Sequence, residues 1–123
     1  MERFTEILMD HFQDPRNRGT VPNASCMGTG DLQGRPPFVT VHLAIENDMV
    51  IAAGFEAQGC GVTIACGSVL TEIVERKTTR QCEALTAEHL AEALGGVPPD
   101  KMYCAEVVVR ALHSALNHWR LAS

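Results

Sequence analysis

The sequence predicts an α+β fold in which helices cover one face of a small antiparallel β-sheet of about three strands. Two observations predict it. A pair of alternating apolar segments joined by a polar break indicates a β-hairpin, and four segments with helical spacing of apolar residues flank that hairpin. Helices packed on one face of an antiparallel sheet are typical of such an element order. The 123 residues are expected to form a single domain, residues 1–123.

The first half of the chain contains one predicted helix and the hairpin. The opening segment repeats apolar residues at helical spacing, which predicts an amphipathic helix that ends before Pro15. Residues 14–37 are rich in Gly, Pro, Asn and Ser, so they predict a long loop with one short strand near residues 26–31. Alternation over residues 39–45 and 49–57 predicts the two strands of the hairpin.

The second half is predicted to be helical. The apolar period switches after Gly59, which predicts a helix that runs to about Arg76. Thr86 is the predicted cap of a short helix that Gly95 and Gly96 end. A last helix follows, with a predicted buried stripe of Val108, Val109, Leu112, Leu116 and Trp119.

Composition excludes several classes of function. The net charge of -5 disfavours nucleic acid as a partner, and no apolar stretch is long enough to span a bilayer. The first residues are acidic and polar, so no secretory signal is visible, and five cysteines in such a chain indicate a reducing cytoplasm. Thiols there serve metals, redox or sulfur chemistry more often than disulfides. We therefore expect a cytoplasmic protein with no nucleic-acid or membrane partner.

Two cysteines, Cys60 and Cys104, stand at predicted helix starts. The N-terminus of a helix presents free N–H groups and the positive end of the macrodipole, so both thiols are expected to ionise more readily than a free thiol. The thiolate is the form that binds metal or attacks sulfur. The ordinary role of a free cysteine is that of a small buried hydrophobe, and we expect it for Cys66, whereas Cys82 is expected to be partly exposed.

Three motifs carry a resemblance to a known family. They are residues 10–17, with Asp-His-aromatic followed by Pro-Arg-Asn, then Gly59-Cys60-Gly61, and finally residues 98–104, which read Pro-Pro-Asp-Lys-Met-Tyr-Cys. In this order and spacing they resemble the IscU/NifU-type scaffold proteins on which iron-sulfur clusters are assembled. The resemblance covers nearly the whole chain and implies the fold of that family.

The resemblance also implies a function and a site. In the family three cysteines and an aspartate surround the cluster, and two of those cysteines fall on Cys60 and Cys104, with the family lysine on Lys101. Cys60 and Cys104 would be metal ligands, and Lys101 would join them in holding the cofactor, an iron-sulfur cluster. No residue is expected to be catalytic, so the protein would not be an enzyme. The implied partners are a cysteine desulfurase and recipient iron-sulfur apoproteins.

The sequence departs from the family pattern at the other ligands. The first family cysteine and the aspartate lie in a Gly-x-x-x-Cys-Gly-Asp loop, and residues 30–38 contain no cysteine and have proline at or beside the aspartate position. Cys26 and Asp31 lie several residues upstream, and only an unusual loop path would bring them to the site. Tyr103 stands where the family often has histidine, and a phenol is a poor ligand for a soft metal.

Two thiolates do not complete a zinc site or a [2Fe-2S] cluster. Two chains could share a cluster as a homodimer, or a partner protein or small thiol could supply the rest. Two alternatives need no cluster: a metal-independent persulfide acceptor or transferase, and a binding module. Arg35 would stabilise thiolates and persulfides and disfavour a cation. Asp100 replaces an apolar residue in the segment that a dedicated Hsp70-type chaperone binds in the family, so chaperone binding is not expected.

Histidines are expected to be structural. His11 belongs to the first motif but lies at helical spacing with apolar residues, which predicts a packed, hydrogen-bonded side chain. His42 is expected to be exposed on the polar face of its strand, and the histidines of the last helix are expected to be solvated.

Overall fold

A computed structural model describes residues 3–122 of the chain. The predicted α+β fold is confirmed, with a three-stranded antiparallel sheet in the order β1-β2-β3. The elements are α1 (Glu6–Gln13), β1 (Cys26–Leu32), β2 (Arg35–Glu46), β3 (Met49–Gln58), α2 (Gly61–Val74), α3 (Thr79–Glu83), α4 (Ala87–Ala93) and α5 (Met102–Ala122), with a 3₁₀ turn at Pro99–Lys101 before α5.

Two tight hairpins build the sheet. The predicted hairpin of β2 and β3 turns at Asn47 and Asp48, whose φ values are 53° and 61°. A second hairpin joins β1 to β2 at Gln33 and Gly34, with φ of 52° and 84°. Two consecutive positive φ values are typical of the type I′ turn, whose twist matches that of paired strands. The short strand predicted near residues 26–31 is therefore present as β1, whereas the predicted loop ends too late, because β2 already begins at Arg35.

Glycines in β1 allow α5 to approach the sheet at backbone contact. A methyl group on Gly28 would lie 2.0 Å from the backbone N of Ala115, and one on Gly30 would lie 2.4 Å from the carbonyl O of Val107. Glycine weakens a strand on its own, which explains why β1 shows little strand signal in the sequence. These two residues fix the position of the helix that carries Cys104.

The core lies between the sheet and the helices α2 and α5. Val41, Leu43 and Phe55 point from the sheet into it and are fully buried. Helix α2 packs against β3 on one side and against α1 and α5 on others, so most of its residues are buried. None of the helices in the described residues is long and apolar enough to cross a membrane.

The segment before β1 covers part of the outer face of the sheet. The N–H of Gly19 donates to the carbonyl of Phe55 at 2.7 Å, and a methyl group on Gly54 would lie 2.6 Å from the Gly19 carbonyl O. Gly54 is the cross-strand partner of His42. His42 is consequently buried, with Nε2 2.8 Å from Oε1 of Glu56, and the expectation of an exposed His42 is wrong.

Helix α3 was not predicted from the sequence. It begins with a capping box, in which the Thr78 hydroxyl accepts from the N–H of Gln81 and the Gln81 side chain accepts from the N–H of Thr78. Cys82 lies in this helix and is fully buried, so the expectation of partial exposure is wrong. A five-residue helix is too short to show a hydrophobic period.

Candidate functional site

Two helix starts bring Cys60 and Cys104 together. Cys60 is the N-cap residue of α2, with extended backbone angles, directly after β3. Cys104 lies in the first turn of α5, behind the 3₁₀ turn. The two Sγ atoms are 3.6 Å apart. Both predicted helix starts are therefore present, and they place one thiol beside the other.

Glycines on both sides of Cys60 make the turn tight. A methyl group on Gly59 would lie 2.8 Å from Cβ of Pro37 and 2.9 Å from Oγ1 of Thr63. A methyl group on Gly61 would lie 2.8 Å from the ring of Phe12. The Gly-Cys-Gly sequence thus lets the start of β2 and the helix α1 close on the thiol from two directions.

The two thiols differ in exposure and in acidity. Cys60 is exposed. Burial of its sulfur raises its pKa, but Thr63, Cys104 and nearby backbone N–H groups favour the thiolate, and the pKa is lowered. Cys104 is fully buried, and burial raises its pKa, although Thr63 opposes this effect. The prediction that both thiols ionise readily agrees with the lowered pKa of Cys60. It is wrong for Cys104, because the loss of solvent around this thiol raises its pKa more than the helix N-terminus lowers it.

Thr63 is a residue of the site that the sequence reasoning missed. Its Oγ1 is 3.8 Å from Sγ of Cys60, and its side chain acts on the pKa of both thiols. Thr63 stands three residues after the N-cap, the position from which a polar side chain reaches back to a cap residue. That spacing is the signal that could have identified it.

Lys101 lines an apolar pocket next to Cys60. The pocket has a volume of about 320 Å³, and its other lining residues are Phe4, Leu8, Met9, Phe12, Gly61 and Val62. Tyr103 is half-buried next to Cys104, whose charge raises the pKa of the phenol while Lys101 lowers it. The lysine charge thus acts on the phenol of Tyr103, and the lysine side chain lines a mostly apolar pocket beside Cys60.

The start of β2 approaches the turn of Cys60 and contains no cysteine, aspartate or glutamate in residues 35–38. Strand β2 begins with Arg35, followed by Pro36 and Pro37 across a cis peptide bond. Pro37 packs beside Gly59, since a methyl group on Gly59 would lie 2.8 Å from Cβ of Pro37. An apolar ring therefore lies next to the turn that carries Cys60. Arg35 and Arg110 line a surface pocket that does not include Cys60 or Cys104 among its lining residues.

Neither upstream substitute joins the two thiols. Cys26 begins β1, pairs with Leu43 and is buried. The carboxylate of Asp31 accepts a hydrogen bond from the N–H of Gly34 at 3.0 Å and so belongs to the β1-β2 turn. Among residues 3–122 no group of three or more His, Cys, Asp or Glu residues could hold a metal ion.

Cys66 and His11 are both buried beneath the surface of the site. Cys66 is buried as predicted, and burial raises its pKa. His11 is also buried as predicted, with Nδ1 2.7 Å from Oγ of Ser68. The same Oγ accepts a hydrogen bond from the N–H of Arg16 at 2.8 Å. These bonds attach the first motif to α2 and hold α1 over the site.

The chain is similar to known proteins over nearly its whole length. The family model described as NifU-like N terminal domain matches residues 3–122. The iron-sulfur cluster assembly scaffold protein IscU of Aquifex aeolicus is 34% identical over 118 residues, which are 94% of this chain and 75% of that protein. IscU 1 of Archaeoglobus fulgidus is 32% identical over 92% of this chain and 74% of its own length. A solved NifU-like N-terminal structure from Brucella abortus shares the fold at a TM-score of 0.78, with 13% identity and coverage of 97% and 95%.

Proposed function

Because the chain belongs to the family of NifU-like N-terminal domains, we propose that it is a scaffold or carrier for iron-sulfur cluster assembly that receives sulfur and iron at Cys60 and Cys104. One observation carries the proposal: the 3.6 Å separation of the two Sγ atoms at neighbouring helix starts. Thiolates are the ligands that iron-sulfur clusters use in proteins. The cluster is the cargo of such a protein, so the residues act as ligands rather than as turnover catalysts.

The number of thiols determines how a cluster would be held. A [2Fe-2S] cluster takes four thiolates, and one chain offers two at this site. We propose that two chains share the cluster, each with its Cys60 and Cys104. The exposed Cys60 supports this arrangement, because its sulfur is accessible to a second copy. Zinc would meet the same requirement for four ligands.

The partners follow from the chemistry of the cargo. Sulfur would come from a cysteine desulfurase, and the finished cluster would go to recipient iron-sulfur apoproteins in a reducing cytoplasm. The Lys101 charge near Cys60 and Tyr103 would favour thiolates and the anionic cluster they hold. A chaperone is not part of the proposal, because Asp100 in the 3₁₀ turn replaces an apolar residue of the segment that the family's chaperone binds.

Anaerobic reconstitution tests the proposal. The protein is mixed with ferrous iron and sulfide, and visible absorption, bound iron, bound sulfide and molecular size are measured. We expect cluster absorption at one cluster per two chains, lost in Cys60→Ala and in Cys104→Ala and retained in the control Cys82→Ala, which removes a buried thiol of α3. A cluster that persists in both site variants would refute the assignment of the ligands.

A second function is favoured by the missing ligands. Arg35, Pro36 and Pro37 occupy the stretch in which the family has a cysteine and an aspartate, and residues 3–122 contain no cluster of three or more His, Cys, Asp or Glu residues that could hold a metal ion. A metal-independent sulfur acceptor needs only a thiol. If reconstitution yields no cluster while desulfurase treatment leaves a persulfide on Cys60, this second function replaces the first.

A further inference from the structure

The thiol pair has the geometry of a sulfur acceptor and a resolving thiol, with the two Sγ atoms 3.6 Å apart. We propose that Cys104 reduces a persulfide on Cys60 to sulfide and closes a Cys60–Cys104 disulfide. The substrate class is a persulfide, carried by a protein or by a small thiol. This inference rests on the sulfur-accepting role of Cys60 in the proposed function and adds an activity to it: release of sulfide with electrons that the pair itself supplies.

Exposure fixes the direction of the reaction. A sulfur donor arrives from solvent and reaches Cys60, which is exposed, before Cys104, which is fully buried. The apolar pocket of about 320 Å³ beside Cys60 gives room for one additional sulfur atom. Cys104 therefore remains a free thiol behind the newly formed persulfide.

Distance makes Cys104 the attacking group. Its Sγ lies 3.6 Å from Sγ of Cys60, and a disulfide needs a separation of about 2 Å, so side-chain rotation has to bring the two atoms closer by about 1.5 Å. All five cysteines lie in the described residues, and no other pair of them is in hydrogen-bonding contact. The third family cysteine, which would be another neighbour, is absent from residues 30–38.

The reaction balances in two steps. First, the Cys60 thiolate attacks the outer sulfur of a donor persulfide, R–S–SH, so that Cys60–S–SH forms and the donor leaves as R–SH. Second, the Cys104 thiol gives up its proton and attacks Sγ of Cys60 as the thiolate, the bond between Sγ and the outer sulfur breaks, and the leaving hydrosulfide takes up a proton to give H₂S. The sum converts R–S–SH and two thiols into R–SH, H₂S and one disulfide. The two thiols are oxidised, the outer sulfur is reduced, and a dithiol reductant reopens the disulfide for the next cycle.

The test uses glutathione persulfide as the donor, without iron and without oxygen. Sulfide is measured in the sealed reaction against a protein-free blank, and the cysteines are mapped by mass spectrometry of peptides under acid. For the wild type we expect one sulfide per chain and a disulfide that joins Cys60 to Cys104. For Cys104→Ala we expect a persulfide that stays on Cys60 and a loss of sulfide release. Cys82→Ala serves as the control and should behave as the wild type.

Three results would overturn the inference. One is a wild-type protein that keeps its persulfide on Cys60 while Cys104 stays a free thiol. Another is sulfide release from Cys104→Ala equal to that of the wild type, and the third is a disulfide that joins other cysteines. If Cys104→Ala does not fold, the peptide map of the wild type decides the question without it.

Reconstitution separates this inference from the proposed function. That experiment supplies ferrous iron and sulfide directly and needs no persulfide. A cluster together with a stable Cys60 persulfide would remove the resolving role and leave the scaffold standing. Sulfide release without any cluster would leave the resolving role standing and remove the scaffold.

Discussion

Replacement of Gly28 by alanine should destabilise the fold by acting on the contact that positions α5. A methyl group there would lie 2.0 Å from the backbone N of Ala115 and 2.6 Å from the carbonyl O of Ala111, whereas ordinary van der Waals contact begins at 3.4 Å. Backbone atoms of a helix cannot rotate away as a side chain does, so the whole of α5 has to move from β1 or the strand has to bend.

The expected cost follows from the cost of overpacking. Inserted methyl groups in a packed core cost about 1–3 kcal/mol, and contact with three backbone atoms of α5 puts Gly28→Ala at the upper end, about 3 kcal/mol. For a chain of this size that corresponds to a fall in Tm of about 10 °C. Because α5 carries Cys104 in its first turn, a displaced helix should also expose this thiol to alkylation.

Urea and thermal unfolding measure the effect, and Thr29→Ala is the matched control. Thr29 is the next residue of β1 and lies exposed on the outer face, so its truncation should cost less than about 1 kcal/mol. A Gly28→Ala protein as stable as Thr29→Ala would refute the reasoning. It would mean that strand and helix tolerate a methyl group between them.

Three further predictions concern the thiols, a histidine and the interior of α2. Iodoacetamide should modify Cys60 before Cys104, since Cys60 is exposed and its pKa is lowered; peptide mapping that finds Cys104 first contradicts this. Burial lowers the pKa of His11 in the folded protein, so as the pH falls the unfolded chain binds a proton at a higher pH than the folded chain does. The free energy of unfolding of the wild type should therefore fall as the pH drops below about 6.5. This fall should be smaller in His11→Asn, which lacks the titrating group. Gly67→Ala should cost about 2 kcal/mol in urea unfolding, because its methyl group would lie 2.4 Å from the buried ring of Phe55.

Two comparisons check these expectations. Gly61→Ala meets only the ring of Phe12, which is partly exposed and can move, so it should cost less than Gly67→Ala; a larger cost would refute the steric argument. A decline in stability with falling pH that is equal in His11→Asn and the wild type would assign the pH dependence to other groups.

Periodicity predicted the elements whose packing is regular. The hairpin of β2 and β3 alternates because one of its faces lies on the core, and the helix after Cys60 is recognisable by its apolar spacing. Strand β1 gave a weak signal for the opposite reason. Gly28 and Gly30 allow the backbone of α5 to lie against the strand, and this contact joins residues far apart in the sequence. A local pattern therefore does not reveal why glycine is present in β1.

Burial of single side chains depended on similar distant contacts. His42 alternates with apolar neighbours, a pattern that predicts an outward-facing, exposed side chain. Residues 17–21 fold back over the outer face of the sheet and cover it, and the sequence pattern does not show this contact. The acidity of Cys104 has the same origin: a helix start predicts a lowered pKa, while the tertiary packing of α5 buries the thiol and raises it. Local rules therefore predicted that Cys60 and Cys104 lie at helix starts, but they did not predict the environment of either thiol.

The two thiols differ in exposure, since Cys60 is exposed and Cys104 is buried, and this difference bears on the reactions that the pair can perform. The starts of α2 and α5 hold the two Sγ atoms 3.6 Å apart, and Gly59 and Gly61 allow the tight turn that carries Cys60. Pro37 packs against this turn at Gly59. A pair with one exposed and one buried member, in contact, also suits a relay in which sulfur enters at the first thiol and the second supplies the electrons for its release. Since α5 sets the place of the buried member, the Gly28 contact with α5 should control the rate of that relay as well as the stability of the fold.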